Sequence, residues 1–177
     1  MSAPEVWLRG ALPDIAPILQ PAAHALMQVR EELERLLPTL SADEAWVAPG
    51  GAASVGYHAR HLAAATDRLL TYARGEPLSE AQRVRLASEK EVPEPPPNGA
   101  ALLDEVTRAL DDAVQQLRGW STRPGTLLAA REVGRSRLPS TVLGLLFHVA
   151  EHAQRHAGQV ATTVKVVRAM RAPASST

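Results

Sequence analysis

At 177 residues, 45% of them hydrophobic, the chain is long enough for one domain with a substantial core. Basic and acidic residues balance at 19 each, so no charge surplus points to nucleic acid. Cysteine is absent, which excludes disulfides, thiolate metal ligands and a cysteine nucleophile.

Aromatics make up only 3% of the sequence, beside abundant Ala, Leu and Val, a balance that favours close-packed helices over sheet. Residues 1–13 read as a short arm with Val6, Trp7 and Leu8 as apolar anchors. Leu26, Val29, Leu33, Leu36 and Leu37 then recur at three-four spacing, predicting a first helix from about Pro21 to Leu37. Pro21 suits its first turn and Pro38 ends it. His24 lies near its start.

Residues 39–53 form a loop carrying Trp46 and Gly50-Gly51. Ser54 is a suitable N-cap for a second helix, Val55 to about Arg74, which Gly75 and Pro77 stop. This helix carries His58 and His61. Residues 76–99 are a long connector with a short helix around Glu80–Ser88 and a proline-rich run from Pro93 to Gly99.

A third helix follows from about Ala100 to Leu117, with Leu103, Val106, Leu110, Ala113, Val114 and Leu117 on one stripe. Within 121–137, Leu127–Val133 is expected to form a brief extended piece. The fourth and longest helix is expected from Ser140 to about Met170, and 172–177 as a frayed tail. Four amphipathic helices without a strand-rich region predict an all-α four-helix bundle, one domain over 1–177, with the long connector between helices two and three. The start of the chain lacks the basic and apolar regions of a signal peptide, and no uncharged stretch approaches a spanning length. The expected location is the cytoplasm, away from membranes.

Chemistry concentrates in His148-Val-Ala-Glu-His152-Ala-Gln-Arg-His156-Ala-Gly158-Gln159, where three of the six histidines stand four apart. Residues four apart on a helix stack on one face, so two such imidazoles form a clip for a divalent metal. His148 and His156 diverge by roughly 80° around the axis, which leaves the pairs 148/152 and 152/156 as alternatives. A third ligand must come from another helix, and His58 or His61 on helix two can meet the pair. Gln159 is a candidate support for His156, and Gly158 suits close helix packing. Glu151 points about 100° away from His152 and reads as a surface charge. Tyr57 and Trp46 read as packing residues that can also rim a pocket.

Taken together, Ser54-Val-Gly-Tyr-His58-Ala-Arg-His61-Leu62-Ala63 on helix two and His152-Ala-Gln-Arg-His156-Ala-Gly158-Gln159 on helix four resemble the DinB/YfiT-like superfamily of four-helix-bundle metalloproteins. The resemblance spans about residues 20 to 170. It implies divalent-metal ligands at His61, His152 and His156, and so selects the second pair. His148 and His58 then become core, pocket or hydrogen-bonding histidines, and His24 a packed or exposed one. The chain departs from the commonest pattern at Ala157, where an arginine often precedes the Gly-Gln.

The implied ion is zinc or nickel first, with iron or manganese also compatible with imidazole. Members of the superfamily include transferases and isomerases that use low-molecular-weight thiols. The expectation is therefore a metal-dependent thiol S-transferase acting on an electrophile, in detoxification or stress response, with Arg60 and Arg155 as candidate holders of cosubstrate carboxylates. The alternatives are a non-catalytic metal-binding stress or damage-inducible protein and a metal-dependent hydrolase. Relatives often pair through bundle faces, so a homodimer is expected.

Overall fold

A computed structural model describes residues 4–172. Residues 1–3 of the expected arm, and the expected tail from 173 onward, lie outside the described residues. In chain order the helices are α1 (Gln20–Leu36), α2 (Ala42–Ala45), α3 (Val55–Arg74), α4 (Glu80–Ala87), α5 (Gly99–Ser121) and α6 (Val142–Arg171), with a hairpin of β1 (Ala130–Val133) and β2 (Leu138–Thr141) before α6.

The four long helices form the bundle. Around its ring α1 packs on α6, α6 on α3, α3 on α5, and α5 on α1. Two of the three links between long helices, α1 to α3 and α5 to α6, therefore cross a diagonal. Tight turns join only neighbours, so those two links are the long connectors 37–54 and 122–141. The third, 75–98, lies between the neighbours α3 and α5 and is long because it carries α4 and the proline-rich run. The ring brings α3 and α6 together along their length.

Local chemistry sets most helix ends. Ser54, Asn98 and Thr141 each accept a backbone N–H from the first turn of α3, α5 and α6. Ser41 with Glu44 and Ser79 with Gln82 form capping boxes on the two short helices. Gly75, at φ 80°, closes α3 in the left-handed conformation that glycine adopts without a Cβ clash. The core is almost wholly aliphatic: Leu26, Val29 and Leu33 from α1, Leu62 and Leu70 from α3, Leu102, Val106, Leu110 and Leu117 from α5, and Leu146, Val149 and Val160 from α6.

Several boundaries differ from the sequence expectation. Of the arm's three apolar residues only Val6 is buried, while Trp7 and Leu8 are 61% and 56% exposed. The arm is short and lies against one helix, so it has only one side to bury. The fourth helix starts at Val142, because Ser140 is drawn into the antiparallel ladder opposite Arg131 and Thr141 takes the capping role. The third helix runs on to Ser121, placing Trp120 in the core. Within 127–133 only Ala130–Val133 is a strand, and Leu127 closes a 3-10 turn.

Candidate metal centre

The start of α3 is positioned by Trp46. Its indole Nε1–H donates to the Pro97 carbonyl at 3.0 Å, and its ring lies against Gly56 so closely that a Cβ there would sit 2.6 Å from it. Immediately beyond, α3 presents His58 and His61. Ala59 and Ala63 on α3, with Ala153 and Ala157 on α6, are all buried. These small residues let the two backbones approach until the imidazoles of both helices meet.

His61, His152 and His156 converge: one ring nitrogen from each lies within 4.8 Å of the other two. His61 Nε2 is 3.3 Å from His152 Nε2. The His156 ring centroid is 4.6 Å from that of His61 and 4.5 Å from that of His152. His152 is pushed down to about 4 and His156 to about 3, first by burial and then by the neighbouring histidines. Both rings are therefore neutral at pH 7, and a neutral imidazole keeps the lone pair that a metal needs.

This donor set fits a divalent ion. Tetrahedral zinc with Zn–N bonds of about 2.0–2.1 Å separates its nitrogens by roughly 3.3–3.4 Å, and the His61–His152 spacing matches that edge. Within the described residues the cluster contains three His, Cys, Asp or Glu groups. Three protein ligands leave a coordination position open, as in catalytic rather than structural sites.

The remaining nitrogens also have neighbours. His58 is 7% exposed, and its Nδ1 lies 3.1 Å from Nδ1 of His156. Burial, then the charge of His61, lowers the His58 pKa. His58, read from the sequence as a core, pocket or hydrogen-bonding histidine, is buried behind His156, because α3 rotates that side chain into the α3–α6 seam. His61 Nδ1 lies 3.0 Å from Glu89 Oε2, and Glu89 Oε1 is 2.8 Å from Arg68 Nη2. These are close contacts rather than aligned hydrogen bonds. Tyr57 stacks on His61, with ring centroids 5.5 Å apart and planes 13° apart.

The other histidines stay outside the cluster. His148 is half exposed, packs edge-on to His152 at 5.6 Å, and places Nδ1 3.0 Å from Glu151. His24 Nε2 meets the Gly10 carbonyl at 3.0 Å, tying α1 to the N-terminal arm. Arg155 holds Glu151 through two nitrogens, and the guanidinium keeps that carboxyl below the usual range. Glu151 is thus a surface charge, as its helical phase predicts. Arg60 lies 3.9 Å from Glu105. Gly158 does not serve close packing: a Cβ there would meet nothing within 4 Å. With His58, Arg155 and Gln159 it lines a shallow cavity, and Gln159 is exposed there instead of supporting His156.

Glu89 and Arg68 escaped the sequence reading. Glu89 sits in a charged connector with no periodicity to distinguish it, and Arg68 reads as an ordinary helical charge. His58 as the partner of His156 was legible only as a second histidine one turn from His61.

The family model for the DinB superfamily matches residues 17–160 of the chain. No curated protein matches it.

Proposed function

The chain belongs to the DinB superfamily, and on that premise we propose that His61, His152 and His156 hold a divalent metal ion in a metal-dependent S-transferase. The observation that carries this reading is the convergence of three imidazoles, two of them held neutral by burial, with no fourth such group in the cluster among the described residues. An all-imidazole set suits zinc or nickel, and accepts iron or manganese. When bound, such an ion lowers the pKa of a coordinated thiol or water.

The protein has no cysteine, so in this proposal the thiol is a low-molecular-weight cosubstrate and its partner an electrophile. The chain's own residues supply the setting. His152 and His156 stay neutral, Tyr57 limits the tilt of His61, and half-exposed His148 flanks His152 on the solvent side. A role in detoxification or stress response in the cytoplasm, as a homodimer, completes the proposal. No helix among the described residues is long and apolar enough to cross a membrane.

The test begins with elemental analysis of the protein as purified. Metal-loaded protein is then incubated with candidate thiols and a reporter electrophile, beside His156→Ala. Thiol-dependent turnover lost in His156→Ala is the expected result. Bound metal without turnover for any thiol would replace the enzyme with a metal-binding stress protein, and turnover without thiol would indicate a hydrolase.

A further inference from the structure

We propose that Glu89, in the turn after α4, is a positioning residue of the metal centre. Its carboxylate lies 3.0 Å from His61 Nδ1, not aligned as a hydrogen bond. The negative charge there favours the Nδ1–H form, so that Nε2 is left to face His152 and His156. This inference rests on the reading of His61 as a ligand.

The geometry divides the two ring nitrogens of His61 between different tasks. Nδ1 is 3.0 Å from Glu89 Oε2, while Nε2 is 3.3 Å from His152 Nε2. Glu89 comes from outside the four-helix ring, yet its side chain is only 11% exposed, as is that of Arg68. His61 and Arg68 stand seven residues apart on α3, so they lie on nearly the same face, and Glu89 bridges them. The far oxygen of the carboxylate meets Arg68 at 2.8 Å, which anchors Glu89 and balances its charge.

A buried ion pair of this kind is a weak source of stability, because desolvation offsets much of the attraction. As an orienting device it is effective. A ligating histidine ordinarily donates its second N–H to a carboxylate or carbonyl, which fixes the tautomer and ring rotation. Tyr57, stacked on His61, restrains the ring's tilt, and Glu89 restrains its rotation. The connector after α4 is therefore part of the centre, acting as a strap from the polar loop to a ligand.

Wild type, Glu89→Ala and Glu89→Gln are compared by two readouts. The first is the His61 tautomer in metal-free protein, from long-range nitrogen–proton NMR. The second is zinc affinity by competition with a chromogenic chelator. The expected result is an Nδ1–H tautomer in wild type and in Glu89→Gln, which keeps an acceptor oxygen, and a shift toward Nε2–H in Glu89→Ala. Zinc affinity should fall about 10- to 100-fold in Glu89→Ala at unchanged one-to-one stoichiometry, and largely recover in Glu89→Gln. Zinc affinity of Glu89→Ala within twofold of wild type, or a His61 tautomer indifferent to the substitution, would overturn the assignment. Should wild type bind no zinc, the ligand reading fails by itself, and the tautomer comparison still decides whether Glu89 holds the ring.

Discussion

His58 and His156, one from each of two packed helices, face each other through Nδ1 at 3.1 Å, both buried. Only one of these nitrogens can carry the hydrogen while the other accepts, so the two tautomers are coupled. If His58 accepts, His156 is left with a bare Nε2, the form a metal requires. In that tautomer the pair prepares one ligand before any ion arrives.

Replacing His58 by Ala should therefore lower zinc affinity by about 10- to 100-fold while the protein still binds one ion. Chelator competition measures this directly. Unchanged affinity would mean that His58 only fills space behind His156.

The triple variant His61→Ala/His152→Ala/His156→Ala should purify without metal and still fold, since it leaves every side chain of the aliphatic core in place. In wild type, free zinc at a hundred times its dissociation constant should add about 2.7 kcal/mol of stability. A chelator should remove that increment without unfolding the protein. Thermal melts with and without zinc, and elemental analysis, provide the check. Metal retained at full stoichiometry in the triple variant would refute the ligand set.

Acid should destabilise the metal-free protein in a defined window. Burial holds His152 at about 4 and His156 at about 3, and lowers His58, whereas unfolded imidazoles titrate near 6.5. Between about pH 6.5 and 3 the unfolded chain binds more protons, so stability falls as pH falls. The contribution is fully present above 6.5 and lost below about 3. Urea midpoints measured from pH 7.5 down to 4.5 should decline steadily, and His152→Ala/His156→Ala should flatten the slope. An equal slope in that variant would assign the effect to other groups.

Gly56→Ala should cost about 1–3 kcal/mol, because the new methyl would press into the Trp46 ring, which must shift. Urea denaturation gives the magnitude. Since Trp46 seats the first turn of α3, zinc affinity should weaken in the same variant. Stability equal to wild type would show that the indole moves aside at no cost.

The second helix was legible to the residue, Val55 to Arg74, because Ser54 and Gly75 bracket it with opposite end signals. The start of the fourth helix was not. Ser140 and Thr141 are both good caps, and only the hairpin pairing of Ser140 with Arg131 decides between them. Gly158 was misassigned to packing, because helical phase does not reveal whether a neighbour lies opposite.

By itself the sequence determined what depends on neighbours along the chain: helix periodicity, caps, proline stops and the four-residue spacing of His152 and His156. Its motif resemblance added His61 and the family. Without that resemblance the residue pattern leaves His58 and His61 equivalent, and tertiary structure separates them. His58 and His61 are only a turn apart, and the rotation of α3 against α6 turns one toward His156 from behind and the other toward His152, 91 residues away. It alone brought in Glu89, whose contact with His61 spans a connector. Periodicity and capping act over a few residues, whereas a metal centre closes through contacts between helices whose separation the local pattern does not encode.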